Sequence, residues 1–325
     1  MLSYILRRIL YAIPILIGVN VITFLLFFYV NTPDQIALSQ LGDKRVTEAA
    51  VQQWKADRGY DKPNLWNQEE SGLAKITNTI FFDKSVKMMM FDFGVSDSGR
   101  NIAYDIKQRM WPSLAIAIPT LIIGLLVNIT IALIMLFLRY TKIEMVTMIG
   151  CVALMSISSL FYIIGGQYLF AKMLSLVPIS GYNTGISGVK FLILPVIIGV
   201  VSGIGTGVRW YRTLFLEEVN KDYVRTARAK GLSELTVLFK HLFQNALIPI
   251  LTGVVVVLPL LFMGSLIMES FFGIPGLGSY TIDGIQRQDF AIVRSMVYLG
   301  SVLYIIGLVL TDISYTIVDP RVRLN

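Results

Sequence analysis

Six long apolar stretches partition this chain, at Ile9–Val30, Ser113–Leu138, Met145–Phe170, Phe191–Val208, Leu247–Met268 and within Ala291–Val318. The first has 22 residues, and a helix needs about 20 to cross a bilayer. That length exceeds a signal-peptide core, and no small-x-small cleavage site follows it. Pro14 stands early enough in the run to be tolerated in a helix. Composition agrees: 55% of residues are hydrophobic, 15% are charged and the mean hydropathy is +0.67, whereas a soluble domain carries about 25% charged residues. The spacing predicts an all-α, polytopic membrane protein with six transmembrane helices.

Charge sets the orientation. Cytoplasmic loops carry an excess of Lys and Arg. With both termini inside, the short cytoplasmic segments (1–8, 139–144, 209–246, 319–325) hold 13 basic residues. The short outer ones hold four, Lys172, Lys190, Arg287 and Arg294. The long polar segment Asn31–Pro112 is neutral, with 11 Lys/Arg and 11 Asp/Glu, which fits an outside position because long loops largely escape the charge rule. The chain therefore divides into 1–30 (N-terminal segment and first span), 31–112 (an extracytoplasmic insertion) and 113–325 (a five-helix core with a cytoplasmic loop at 209–249). Trp54, Tyr60, Trp66 and Phe81 point to a small folded insertion with a thin core. The net charge of +7 implies no nucleic acid, since the basic residues gather in the membrane-flanking segments.

Several chemistries are excluded. One cysteine, Cys151, and one histidine, His241, leave no internal disulfide and no Cys- or His-rich metal site. No Gly-x-x-x-x-Gly-Lys-Ser/Thr loop is present to hold ATP phosphates. Asp92-Phe93-Gly94 spells a kinase metal motif without its catalytic loop. Gly203-x-Gly205-x-Gly207 lies inside an apolar span, not at a strand–helix turn. Gly199, Gly203 and Gly207 repeat every four residues and predict one smooth helix face for close packing. Asn128, Ser156, Ser159 and Gln167 put polar groups in the spans, where such groups line a cavity or bond their own backbone. Both readings fit. Pro259 is a candidate kink in the fifth span. Beyond Glu269, Phe271–Gly278 breaks helix repeatedly, and Asp283, Arg287, Gln288 and Asp289 are expected to keep that outer loop wet. Asp312 is expected to pair with an arginine of a loop.

The longest polar interruption in the second half is Arg209–Pro249, with seven basic residues against four acids. Asp222 is a candidate N-cap for a helix over Tyr223–Lys230, with Arg228 and Lys230 in the last turn where the dipole favours cations. Gly231 would end it, and Ser233 would cap a second helix through Leu235, Leu238, Phe239, Leu242 and Phe243. A two-turn helix is marginal alone in water and needs something to dock on. Anionic lipid and a groove on a cytoplasmic protein both fit the charge pattern.

Tyr223-Val-Arg-Thr-Ala-Arg-Ala-Lys-Gly231, followed by Asn245-Ala-Leu-Ile-Pro249, resembles the cytoplasmic coupling loop of ABC importer permeases, in its peptide/nickel version. The general Glu-Ala-Ala-x-x-x-Gly pattern is altered here to Arg225-Thr226-Ala227 before Gly231. Leu2–Leu10 with Ile13-Pro14, Asp92-Phe93-Gly94 with a lead-in helix at about 101–110, Val177–Tyr182, Glu269 with Pro275-Gly276-Leu277-Gly278, Asp312–Tyr315 and Asp319-Pro320-Arg321 resemble other stretches of that family. The resemblance implies a type I permease fold in a bacterial inner membrane, with Asp222, Tyr223, Thr226, Ala227, Ala229, Lys230, Gly231 and Leu232 docking on an ATPase subunit. It also implies a second homologous permease, two ATPase subunits that bind ATP and Mg outside this chain, and an extracytoplasmic binding protein that meets the outer segment of Glu269, Pro275, Gly276 and Gly278. No cofactor and no catalytic residue are expected in this chain, which is read as no enzyme. Peptide is the expected cargo. The alternatives are nickel or a metal chelate, set aside because no His-, Met- or Cys-rich cluster lines a span, and a stand-alone secondary transporter, set aside because no paired repeat is visible.

Overall fold

The computed structural model describes residues 2–42 and 46–318, and within them every regular element is helical. The expected Asp319-Pro320-Arg321 terminus lies outside the described residues. The long helices are α1 (Leu2–Tyr29), α2 (Pro33–Leu41), α3 (Glu48–Arg58), α4 (Ile102–Phe137), α5 (Lys142–Ser156), α6 (Ser159–Met173), α7 (Val189–Val219), α8 (Asp222–Ala229), α9 (Glu234–Met263), α10 (Leu266–Phe272), α11 (Leu277–Gln286) and α12 (Phe290–Val318). Five are long and apolar enough to span a membrane, and a sixth span is the bent pair α5–α6.

The bend is the first departure from the sequence reading. Met145–Phe170 reads as one span, but α5 and α6 meet at 89° across Ile157 and Ser158. Both residues are extended, and Ser158 takes the N-cap position of α6 without a side-chain cap bond. Other boundaries shift because helices run past the apolar limits. α4 is continuous for 36 residues through Pro112 and Pro119, so the lead-in helix and the second span are one element of about 54 Å. Asn101 caps it, its side chain accepting from Tyr104 N–H at 2.9 Å. The Asp92-Phe93-Gly94 motif is the turn before that cap: Asp92 accepts from Gly94 N–H at 3.1 Å, and the Gly94 carbonyl accepts from Ile102 N–H. α7 continues beyond Val208 to Val219, so the polar loop begins with three further helical turns. The fifth span closes at Met263, ahead of the expected Met268, because Pro259–Met263 tightens to 3-10 geometry and ends at Gly264.

Two further expectations are revised. The glycine face of α7 packs closely at only two of its three positions: Gly199 meets Thr120 and Gly207 meets Asn128 on α4, whereas Gly203 has no neighbouring atom near its missing Cβ. Asp289 is not a wetting residue but is buried, accepting from the backbone of Asp97 at 3.0 Å and Ser98 at 3.2 Å. Asp312 pairs with Arg8 of α1 at 2.6 Å, joining the first and last helices.

Burial falls into separate cores. One joins α4, α5, α7, α8 and α9. A second joins the outer halves of α4, α6 and α7 to α10. The insertion packs Ile36, Ala37, Val51, Trp54, Tyr60 and Ile80 on Phe24 and Phe28 of α1, while Trp66 stays exposed. A fourth core joins the head of α4 to α11 and α12.

Candidate functional site

Two sites are built at opposite ends of the helix bundle. One, in the polar stretch between α7 and α9, is a knuckle. After α7, Lys221 turns the chain in extended conformation and α8 starts at Asp222. Asp222 thus stands in the first turn, where the dipole still favours its charge, and the N-cap position belongs to Lys221. The Lys221 ammonium lies 2.5 Å from the Glu218 carboxylate, which also accepts from the Tyr223 hydroxyl at 2.6 Å. Burial, with the Glu218 contact added, raises the Tyr223 phenol well above its ordinary pKa, so it stays a donor.

The period of α8 divides its residues. Val224 and Ala227 are buried against Val237, Leu238, Leu242 and Ala246. Asp222, Arg225, Thr226, Ala229 and Lys230 are exposed on the other side, as are Gly231 and Leu232 in the following turn. Gly231 has φ +75° with no neighbouring atom near its missing Cβ. The glycine is therefore required by backbone conformation, not by space. Ser233 begins α9, accepting from Thr236 N–H at 3.4 Å. Arg228 donates two bonds to Glu234, at 2.9 and 3.1 Å, across the turn. The Arg212–Glu144 ion pair ties α7 to α5 just above. Of the eight residues expected to dock, six face outward, Tyr223 is half-buried, and Ala227 is the anchor beneath.

The outer site is a knot around Glu269. This side chain is 1% exposed, and its carboxylate accepts from Ser265 N–H at 3.2 Å and Ser279 N–H at 3.0 Å. Ser279 is the third residue of α11, so Glu269 supplies the cap that Gly276, at the N-cap position, has no side chain to give. Ser113 of α4 adds a second cap, its hydroxyl accepting from Leu277 N–H at 2.8 Å. A Cβ on Gly276 would collide with Glu269 and Ser113, and one on Gly278 would come within 2.6 Å of the Ser265 backbone. Glu269, Gly276 and Gly278 are thus one packed unit, while Pro275 is exposed beside it.

Beside the knot, between α4, α6, α7 and α9, lies a mainly apolar cavity of about 420 Å³ whose polar lining includes Ser113, Thr120, Ser159, Ser202 and Glu269. The four polar residues expected along the pathway separate here. Ser159 lines this cavity. Gln167 donates to the Ile179 and Phe271 carbonyls at 3.0 and 3.1 Å, stitching the outer loop to α10. Ser156 donates to its own helix, at the Val152 carbonyl. Asn128 is 9% exposed, packed against Gly207. Sequence reading passed over Ser113, Thr120 and Ser202, which differ from other hydroxyls in the spans only through helix packing.

The bundle thus carries a knuckle with an exposed outer face at one end and a glycine-rich knot at the other, and the family match makes it a transport permease component. This chain belongs to the family described as "Binding-protein-dependent transport system inner membrane component", whose model matches residues 128–324; the companion model for the N-terminal part matches residues 1–117. It is 31% identical over 328 residues to a chain of Brucella suis biovar 1 (strain 1330) whose name places it as a peptide transport system permease protein, covering 99% of both. It is 29% identical over 332 residues to the oligopeptide transport system permease protein AppB of Bacillus subtilis (strain 168), covering 99% of this chain and 100% of that one. The dipeptide transport system permease protein DppB of Alkalihalophilus pseudofirmus is 25% identical over 353 residues, with 99% and 100% covered.

Proposed function

We propose that this chain is one transmembrane subunit of an ATP-driven importer for peptides, in a bacterial inner membrane with both termini cytoplasmic. It works with a second permease subunit, two ATPase subunits that hold ATP and Mg, and an extracytoplasmic binding protein that delivers cargo. It performs no catalysis itself. The peptide assignment is supported by the names of relatives aligned along their whole length.

The observation that carries the reading is the two-sided build of α8. Its inner face is fixed in a core shared with α4, α5, α7 and α9, while its outer face is exposed among the described residues. A docked ATPase that moves α8 therefore moves four other elements with it, because a packed core does not deform continuously. A nucleotide state drives the pore by binding one of its conformations more tightly. Taking the pore from 1:99 to 99:1 needs about 5.5 kcal/mol of such preference.

The test is Gly231→Asp, assayed by co-purification of the ATPase subunits. The backbone cost of a left-handed non-glycine residue is about 1–2 kcal/mol, and the new side chain protrudes into the docking face. Insertion is expected to remain normal and ATPase recovery to fall. Undiminished recovery overturns the coupling assignment. For the pathway, Ser159→Cys is expected to react with a water-soluble thiol reagent faster than Asn128→Cys, Ser156→Cys or Gln167→Cys. An inert Ser159→Cys removes the cavity from the translocation route.

A further inference from the structure

We infer that the cytoplasmic edge of this chain holds one anionic phospholipid, with an acyl chain in an apolar groove between α4 and α9 and the headgroup beside Arg139. The groove has a volume of about 260 Å³. Ile134, Phe137, Leu235 and Phe239 line it and are 51%, 51%, 57% and 58% exposed. No other part of the described chain covers this apolar surface, which suits an acyl chain.

What identifies the occupant is the change of chemistry along the groove. Phe137 and Leu238 also line an adjoining cavity of about 380 Å³, whose remaining walls include Arg139, Tyr140, Arg228 and Glu234. The path therefore passes from hydrocarbon to charge at the level where the knuckle leaves the membrane. A soluble peptide or a second helix does not require that order, whereas a phospholipid does.

The charge balance selects an anion. Arg228 is engaged by Glu234 through both of its bonds. The neighbouring Glu144 is engaged by Arg212 and by Tyr140 N–H. Arg139 has no carboxylate within 4.0 Å among the described residues, and its guanidinium stacks 4.7 Å from the Tyr140 ring. The Arg139 guanidinium thus borders the polar cavity without a direct ion pair among the described residues, and basic pockets between helices on this side of a membrane take acidic headgroups. Tyr140, 85% exposed, has the amphipathic ring that settles at headgroup level. The inference depends on this face lying at the cytoplasmic boundary and not on the cargo.

Native mass spectrometry of the delipidated full-length chain tests it, with phosphatidylglycerol and phosphatidylcholine of matched acyl chains and with inorganic phosphate as probes. One retained phosphatidylglycerol per chain is expected, held about fivefold more tightly than phosphatidylcholine, the difference that one basic residue near a headgroup makes. Arg139→Gln is expected to erase that preference. Phe239→Asn is expected to weaken both lipids. Glu234→Gln, which releases Arg228, is expected to strengthen phosphatidylglycerol, a gain that misfolding cannot mimic. Equal retention of the two lipids, an unchanged preference in Arg139→Gln, or displacement of the lipid by inorganic phosphate alone overturns the proposal. Cross-links that place a protein subunit in the groove in native membranes overturn it as well.

Discussion

The Glu269 carboxylate accepts the N–H of Ser279 at 3.0 Å, ten residues further along the chain. It thereby caps a helix that starts with glycine and has no cap of its own. That bond explains why the glutamate and three glycines come together: Gly264 and Gly276 leave room for the carboxylate, and Gly278 lets α11 touch the start of α10.

Removing the carboxylate strands the backbone donors it serves. Hydrogen bonds to a charged group are worth about 1.5–3 kcal/mol, so Glu269→Ala is expected to lower the thermal midpoint by several degrees. Gly276→Ala is expected to do the same by collision. Thermal unfolding of the purified chain in one detergent checks both, and a Glu269→Ala midpoint equal to wild type removes the capping role.

The contact between α4 and α7 gives a compensation test. A methyl on Gly207 would strike the Asn128 amide, and overpacking costs about 1–3 kcal/mol. Gly207→Ala is expected to destabilise. Adding Asn128→Ala frees the space and is expected to recover most of that loss. A double variant no more stable than Gly207→Ala would mean that the glycine serves something other than this contact.

Much of this was legible in the sequence. The apolar runs fixed the number of spans, because length in hydrocarbon leaves little choice. Gly231 and Ser233 marked the knuckle, because turn and cap chemistry is local. What the runs did not carry was the 89° break at Ile157–Ser158, where no proline or glycine stands and tertiary packing decides. Nor did they carry the inward turn of Asp289, whose partners Asp97 and Ser98 lie 192 and 191 residues away. The same holds for Glu269: its position beside Pro275-Gly276-Leu277-Gly278 was visible, but the bond that makes it a cap depends on how α10 folds back on α11.

The buried charges that seat the insertion on α12 give a pH dependence. Lys84 lies 4.9 Å from the Tyr60 ring. Burial, with repulsion from Arg294 next and with Asp97 and Asp83 opposing, pushes its ammonium from 10.5 down to about 8. A depressed lysine contributes stability that is complete above its unfolded value and is lost as pH falls through its folded one. The thermal midpoint of wild type is therefore expected to rise relative to Lys84→Met as pH goes from about 7 toward 10. Asp97 works the other way. Burial and then Asp289 raise it, against Tyr60 and Arg294, so its contribution is complete in acid and lost as pH climbs through its raised value. Tyr60 is raised by burial and then Asp97, so its contribution is lost only at pH near 10 and above. Asp97 and Tyr60 are present in both chains, so the difference between wild type and Lys84→Met across pH about 8 to 10 reads Lys84. A wild-type-minus-Lys84→Met difference that is flat across this range would mean that Lys84 is solvated and takes no part in seating the insertion.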